Sequence, residues 1–301
     1  MTRPLPRSAI LIVNAMSRSG ADAFDEACAK LKDAGIDLLE AHAIDQPEQM
    51  DPAIEAAIAK APMVILGGGD GSLSSNIEHF LGRDTVFALL PLGTANSFAG
   101  TLGIPKTLDA AVDVIANGTR KRIDVGKIGN DYFANAAAIG LSPMIADSVP
   151  HGLKRYLGMV GYLIWATRCA VKFKPFRLTV DDGKSRRSVW ATEVRIANGT
   201  HHGGVELIES QDIDSGVIVV QAVTGKSVVG LGWSWFATLF KLSSRDQTFT
   251  EFRGRELSLE TRPRLNISVD GELSARTPVT VGVARGAIEV AAPREGQFEA
   301  V

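Results

Sequence analysis

The chain has 301 residues, of which 45% are hydrophobic, and its formal net charge is −2. This size and apolar content are enough to bury one large core or two medium ones, and a charge so close to zero argues against nucleic acid as a partner. The two cysteines, Cys28 and Cys169, exclude a disulfide framework and fit a reducing cytoplasm. Residues 1–7 show no secretory signal, and the longest apolar stretch, residues 156–171, is interrupted by Arg168 and is short for a membrane span. We therefore expect a cytoplasmic protein that is soluble or peripheral to a membrane.

Strands and helices are predicted to alternate through the first part of the chain. The aliphatic run at residues 9–13 is the first predicted strand, and a helix follows it with apolar residues at helical spacing up to Gly35. Further strands are predicted at residues 36–43, 63–66 and 86–90, with helices that begin at Asp51 as N-cap, at Ser72 and, capped by Thr107, at Leu108. This alternation indicates a parallel sheet with helices on both faces.

A glycine-rich turn joins the third strand to the helix predicted at residues 72–81. Gly68, Gly69 and Gly71 surround Asp70 there, and glycine lets the backbone approach a phosphate without obstruction by a Cβ atom. A dinucleotide fingerprint would need glycine in place of Ser72 or Ser74. The two Gly-Lys-Ser sequences of the chain lack the earlier glycine of a Walker motif. A phosphate site is favoured over a plain turn, which stays the alternative.

Two further polar segments follow predicted strands. Asn14 comes after the first strand and residues 93–96 come after the fourth, while the glycine turn comes after the third. Ligands of parallel sheets bind beyond the carboxyl ends of the strands. The sequence therefore predicts that these three segments converge on one phosphate-binding site.

The pattern changes after Arg122. Residues 123–126 and 131–139 are predicted to pair around Gly129-Asn130, an apolar helix follows at residues 154–172, and short strands then alternate with turns such as Asp270-Gly271. This spacing is typical of an antiparallel sandwich or barrel. We predict an α/β domain at residues 1–122 and a β-rich domain at residues 123–301, with a return of the last residues to the first domain left open.

Three segments of the chain carry a resemblance to a known family, namely Gly68-Gly69-Asp70-Gly71-Ser72, Pro91-Leu92-Gly93-Thr94-Ala95-Asn96-Ser97-Phe98-Ala99 and Asp270-Gly271-Glu272. Together they resemble the catalytic family of diacylglycerol kinases, which includes bacterial lipid kinases, sphingosine kinases and ceramide kinases. The resemblance runs from about Ile10 to about Val290. The second segment is the most specific, because Gly-Gly-Asp-Gly is shared with NAD kinases and phosphofructokinases. The resemblance implies an α/β nucleotide domain and a β-rich domain with the active site between them.

The resemblance also implies a function, the transfer of the γ-phosphate of ATP, with magnesium, to a hydroxyl of diacylglycerol, of ceramide or a sphingoid base, or of a related lipid. It makes Glu272 the general base with Asp270 near it, assigns Asp70 to magnesium or the acceptor, and places Asp124 at the lipid headgroup. A structural magnesium site would lie near Asp214. The residues that the resemblance assigns to the nucleotide phosphates are Asn14, Ser17, Arg18, Gly68, Gly69, Gly71, Ser72, Thr94 and Asn96.

The sequence departs from the family pattern in three places, of which Ser97 and Ser215 bear on the metal. Ser97 stands where the family usually has an aspartate, Ala15 replaces a proline, and Ser215 replaces the aspartate of an Asp-Gly pair. A serine does not bind magnesium as an anion does. Two alternatives therefore stay open, namely a catalytically weak lipid- or nucleotide-binding homologue, and a kinase of NAD or of another small molecule with the same glycine turn.

Two apolar segments bear on the lipid partner. Residues 233–240, followed by Lys241, contain two tryptophans and two phenylalanines, and residues 156–165 precede three basic residues, Lys172, Lys174 and Arg177. Such segments suit peripheral contact with the inner face of the membrane, although aromatic residues at helical spacing also occur in cores. Exposed strand edges in the second half leave a homodimer open.

Overall fold

The computed structural model describes residues 3–16, 18–148, 165, 167–202, 205–206, 212–225, 249–270 and 272–298. Several predicted residues lie outside this part of the chain, namely Ser17, Gly271, residues 156–164 and 233–240, and the side chains of Arg18 and Glu272. No helix within the described part is both long and apolar enough to cross a bilayer.

The described residues form strands and helices in the predicted alternation, followed by a strand-rich part. The helices with both ends in the described part are α1 Arg18–Asp33, α2 Met50–Lys60, α3 Asp70–Ser75, α4 Ser97–Thr101, α5 Leu108–Asn117 and α6 Leu141–Ser148, with 3₁₀ turns at Pro47–Gln49 and Ile77–Phe80. Residues 167–172 are also helical, and the rest of the helix predicted at residues 154–172 lies, apart from residue 165, outside the described part. The strands are β1 Ser8–Asn14, β2 Asp37–Ile44, β3 Met63–Gly68, β4 Val86–Pro91, β5 Thr119–Ile128, β6 Asp131–Phe133, β7 Ala136–Gly140, β8 Phe176–Asp181, β9 Arg186–Ala197, β10 His201–His202, β11 Val205–Glu206, β12 Ile218–Thr224, β13 Phe249–Gly254, β14 Glu256–Arg262, β15 Asn266–Val269, β16 Glu272–Arg276 and β17 Val279–Ala292.

Contacts within the chain define two compact units. The first contains Met1–Val125, Gly199–Gly216 and Ala284–Val301, and the second contains Gly126–Asn198 and Val217–Val283. The predicted domain boundary at residue 122 stays a prediction.

The first unit contains a parallel sheet. Strand β1 pairs in parallel with β2 and β3, β3 pairs in parallel with β4, and the end of β17 pairs in parallel with β4 through Glu289 and Val86. Strands β3 and β4 are buried along their whole length, as expected when helices cover both faces of a sheet. The predicted α/β class of this half is confirmed.

Two helix predictions in the first unit are wrong in detail. The helix expected at residues 72–81 begins at Asp70 and ends at Ser75, because the Asn76 side chain donates to the Ser72 carbonyl at 2.7 Å and a 3₁₀ turn follows. Asp51 does not cap α2, which begins at Met50. The cap predicted at Thr107 is confirmed, since its hydroxyl accepts from the Ala110 N–H at 3.3 Å.

The second unit is antiparallel, as predicted. Strand β9 pairs with β7, β8 and β12, and β14 pairs with both β8 and β17. The predicted pairing around Gly129-Asn130 is confirmed next to the turn, where residues 126–128 lie opposite residues 131–133. It is wrong for residues 136–139, which belong to β7 and pair with β9 and β15 instead. Inward-facing residues of these strands form one apolar core, which includes Phe176, Leu178, Val194 and Ile196.

Candidate active site

The ends of three neighbouring parallel strands carry the first candidate residues. Asn14 ends β1, Gly68 ends β3 and Pro91 ends β4, and Gly68 lies directly opposite Pro91. The Asn14 side chain donates to the Ser72 hydroxyl at 2.6 Å and accepts from the Met16 backbone N–H at 3.0 Å. The loop after β1 is thereby attached to α3, and the predicted convergence at this edge of the sheet is present.

The glycine turn and the loop after β4 approach each other at their backbones. A Cβ atom on Gly93 would lie 2.5 Å from the Gly69 Cα atom, so only glycine fits at residue 93. A Cβ atom on Gly68 would lie 2.9 Å from the Cβ atom of Ser72. Gly71 differs from both, because a Cβ atom there would meet no described atom within 4 Å. Packing within the described residues thus explains Gly68 and Gly93 but leaves Gly71 unexplained.

Asp70 joins the same two loops through its side chain. Its Oδ1 atom accepts a hydrogen bond from the Phe98 backbone N–H at 3.1 Å, within the first turn of α4. The side chain is only half-buried, and its Oδ2 atom makes no hydrogen bond to any described residue. One oxygen therefore orients the carboxylate while the other remains available to a ligand.

Asn96 shapes the loop after β4. Its backbone is left-handed, with φ of 48°, and its side-chain amide donates to the carbonyls of Pro91 and Gly93 at 3.0 and 2.8 Å. The amide oxygen accepts from the Gly93 N–H at 2.9 Å, and the residue is only 3% exposed. Three hydrogen bonds thus engage Asn96 inside the loop, whereas Thr94 is exposed at its tip. The nucleotide-binding roles of both residues stay predictions.

Asp124 is buried in the first unit, where it connects distant parts of the chain. Its two carboxylate oxygens accept from the backbone N–H groups of Gly216 and Gly286 at 2.6 and 2.7 Å. Its own N–H donates to the Ile213 carbonyl at 2.8 Å, and the residue is only 4% exposed. These contacts give Asp124 a structural task, and its predicted contact with a lipid headgroup stays a prediction.

The structural magnesium expected near Asp214 stays a prediction, and the structure places a lysine beside that residue. The Lys121 ammonium group lies 3.0 Å from the Asp214 carboxylate and 3.9 Å from that of Asp212. A hydrogen bond between the two carboxyls raises the pKa of Asp212. In the described part of the chain, no cluster of three or more acidic, histidine or cysteine side chains could hold a metal ion. The Lys121 ammonium group is thus the positive charge that the described residues place beside these two carboxyls.

Asp70 fits magnesium through its available Oδ2 atom, because this ion is commonly held by one or two carboxylates together with substrate phosphates and water. Ser97, which stands where the family usually has an aspartate, is buried and only 4% exposed. An aspartate at that position would be largely removed from water, which is costly for a carboxylate.

Asp270 lies in the second unit, in the two-residue turn between β15 and β16. Its φ is 44°, a left-handed value that suits an Asp-Gly turn. Its two carboxylate oxygens accept from the backbone N–H groups of Ala134 and Ala136, both at 3.1 Å. The Asn198 side chain donates to the Ala134 carbonyl at 3.1 Å. This carboxylate therefore orders the segment before β7, and the catalytic roles of Asp270 and Glu272 stay predictions.

A buried polar group in the second unit is absent from the sequence-based predictions. The Arg195 guanidinium donates to Glu193 at 2.9 Å and to Gln221 at 3.2 Å, and all three residues are at most 3% exposed. The sequence offered one signal for this group, namely that charged and apolar residues alternate along residues 193–196. Charged residues are unusual in a strand that has a neighbour on each side.

Comparison with known proteins agrees with this architecture. Residues 8–128 match the model of the diacylglycerol kinase catalytic domain, and residues 136–292 match that of the YegS C-terminal NAD kinase beta sandwich-like domain. A probable lipid kinase YegS-like protein of Chromohalobacter salexigens is 30% identical, with 89% of this chain and 88% of the relative covered. A diacylglycerol kinase of Mycobacterium tuberculosis is 29% identical, with 95% of each chain covered.

The fold is also found in a solved structure. A putative diacylglycerol kinase from Bacillus anthracis superimposes with a TM-score of 0.80 at 22% identity, covering 96% of this chain and 99% of that one. The predicted class, a parallel α/β part followed by a β-sandwich part, is confirmed. The domain models and the similar sequences show that the chain belongs to the diacylglycerol kinase catalytic-domain family of lipid kinases.

Proposed function

We propose that the protein uses ATP and magnesium to phosphorylate a hydroxyl group of diacylglycerol or a closely related lipid. The observation that carries the proposal is the convergence of Asn14, the glycine turn and the loop after β4 at one edge of the parallel sheet. Sites that transfer phosphoryl groups work chiefly by positioning the phosphates and neutralising their charge. Ordered backbone next to an available carboxylate suits both tasks.

Gly71 supports the position of the phosphates within this site. Glycine in a helical turn destabilises by about 1 kcal/mol relative to alanine, and nothing in the described residues compensates for that cost. The space beside its Cα atom is open, so a phosphate oxygen could reach the backbone N–H groups of the turn. A Cβ atom would obstruct that approach.

Asp70 and Glu272 receive different tasks in this proposal. Asp70, held by the Phe98 N–H through one oxygen, would bind magnesium with the other. The ion, when bound, would neutralise charge on the β- and γ-phosphates. Glu272 on β16 would accept the proton of the lipid hydroxyl, a role that rests on the family resemblance, and Asp270 would keep the turn before it in place.

A transfer assay with labelled ATP tests the proposal. The protein is incubated with magnesium and, separately, with diacylglycerol, ceramide, a sphingoid base, phosphatidylglycerol and NAD. We expect label in the lipid phase with diacylglycerol, and none when magnesium is chelated or when the Asp70→Asn variant is used. Label on another lipid would correct the substrate, label on NAD would favour the small-molecule kinase, and nucleotide binding without transfer would identify an inactive homologue.

A further inference from the structure

Two segments of the second unit are strongly basic, although the chain as a whole has a net charge of −2. Residues 165–178 and 261–266 together contain six lysines or arginines and no aspartate or glutamate. All six side chains are on exposed residues, and one of them, Arg262, lies 3.3 Å from the carboxylate of Glu260 on the same strand. We call this group, together with Val171 and Trp190, the basic patch. Its basic members are Arg168, Lys172, Lys174, Arg177, Arg262 and Arg264.

Strand register brings part of the basic patch into one row. Arg177 on β8 lies directly opposite Trp190 on β9 and, on its other side, opposite Arg262 on β14. Residues directly opposite each other in antiparallel strands share a face, with Cβ atoms about 5 Å apart. Phe176 and Leu178, the neighbours of Arg177 in sequence, are both buried in the core. The row therefore lies on the outward face, where Trp190 is 45% exposed.

The end of the helical segment 167–172 borders this row. Cys169 is buried there, whereas Val171 is 81% exposed between basic residues. The rings of Phe173 and Phe176 lie edge to face with centroids 6.4 Å apart, and so join the helix end to the start of β8. An aliphatic side chain and an indole ring are thus presented to solvent next to several cations.

This combination matches the surface of an anionic bilayer. Basic side chains are attracted to acidic headgroups, tryptophan favours the headgroup region because its ring is apolar and its N–H is polar, and an aliphatic side chain gains by entering the acyl boundary. Nucleic acid would use the cations but would offer no apolar layer to Val171. We propose that the basic patch docks the protein on anionic lipid membranes. The proposal rests on the proposed function, because the membrane is where a lipid substrate is found.

The test is co-sedimentation with vesicles made of phosphatidylglycerol and phosphatidylcholine, without nucleotide. The Lys174→Glu/Arg177→Glu variant is compared with Lys127→Glu/Lys184→Glu, a matched charge reversal of two exposed lysines of the second unit outside the basic patch. Lys184 lies in the turn at the opposite end of β8 from Arg177. Each basic residue near an anionic surface contributes about fivefold to the partition coefficient. We expect the patch variant to lose about tenfold or more.

The controls address charge, apolar contact and folding. Partitioning of the Lys127→Glu/Lys184→Glu protein should stay within about twofold of the unaltered protein. Trp190→Ala should bind vesicles more weakly even in salt, which screens charges but not apolar insertion. Thermal unfolding of each variant shows that the loss does not come from misfolding. Equal losses in the two charge-reversal variants, or binding by the patch variant equal to that of the unaltered protein, would overturn the proposal.

The activity on a monomeric substrate and the binding of double-stranded DNA are also measured, so that a failure of this proposal can be told from a failure of the proposed function. Activity on a short-chain diacylglycerol dissolved as monomers should be the same in the patch variant and the unaltered protein. A protein that binds vesicles through the basic patch but phosphorylates no lipid would contradict the kinase proposal alone. An active kinase that ignores anionic vesicles, or one that binds double-stranded DNA through the same residues instead, would contradict the docking proposal alone.

Discussion

Asp70 accepts a hydrogen bond from the backbone N–H of Phe98 at 3.1 Å and so connects the glycine turn to the first turn of α4. The same carboxylate is the candidate for binding magnesium. The Asp70→Asn substitution separates these two tasks. The amide oxygen of asparagine can still accept the hydrogen bond from the Phe98 N–H, whereas the negative charge is lost.

The Asp70→Asn variant should retain its stability within about 1 kcal/mol but lose turnover by about a hundredfold or more, as expected when a metal-binding charge is removed. Asp70→Ala should lose turnover and also about 1 kcal/mol of stability, since the Phe98 N–H loses its acceptor. Thermal unfolding and the transfer assay measure the two effects. Full activity of Asp70→Asn would exclude this carboxylate from the mechanism.

The substitutions Gly93→Ala and Gly71→Ala should act in opposite ways. A methyl group at residue 93 would lie 2.5 Å from the Gly69 Cα atom, so the backbone must shift, at a cost of about 1–3 kcal/mol. At residue 71 the methyl group has open space, and helix propensity predicts a gain of up to about 1 kcal/mol. We expect Gly71→Ala to unfold at the same or a higher temperature, but with a raised KM for ATP. An unchanged KM would argue against phosphate binding at this turn.

Asp124→Ala should destabilise the protein by about 2–5 kcal/mol, because the buried N–H groups of Gly216 and Gly286 both lose a charged acceptor. The KM for the lipid should change little in the fraction that folds, if the residue is only structural. Denaturant unfolding and lipid-dependent kinetics measure the two quantities. A stable variant with a raised KM would instead support the headgroup role.

Chelation of magnesium with EDTA should leave the unfolding temperature unchanged. The reason for this expectation is that the Lys121 ammonium group already lies beside Asp212 and Asp214. The Lys121→Ala variant should lose about 1 kcal/mol, the upper range for a partly exposed ion pair. A drop in the unfolding temperature of the unaltered protein upon chelation would show that a structural metal is present after all.

The Gln297→Ala variant should lose stability in a pH-dependent way. Hydrogen bonds from the side chains of Asn117 and Gln297 hold the pKa of the Asp113 carboxyl below its usual value. A depressed folded-state pKa stabilises the protein at pH values above the unfolded-state pKa, and that stabilisation disappears as the pH falls through the folded-state pKa. We expect a loss of about 1 kcal/mol at neutral pH that shrinks below about pH 4. A difference that stays constant down to acid unfolding would contradict this role of the ionised carboxyl.

Local patterns were enough to predict the sheet edge but not the partners of its side chains. The strand and turn at residues 63–71 could be predicted, because a run of apolar residues indicates a buried strand and the run of glycines after it indicates a turn. Helix α3 is shorter than the apolar spacing predicted, because the Asn76 side chain donates a hydrogen bond to the Ser72 carbonyl at its end. The partners of Asp124 could not be foreseen at all. They lie 92 and 162 residues away in sequence, and no periodicity records contacts at that range.

The pairing of Glu289 with Val86, and the bond from Gly286 to Asp124, also bear on how the protein is made. A ribosome releases strands β1 to β4 of the parallel sheet long before it has synthesised β17, which pairs with the edge of β4. Until then β4 has an unpaired edge, which is a template for aggregation. We therefore expect nascent chains stalled before residue 284 to depend on chaperones, and to become independent of them once the last strand has emerged.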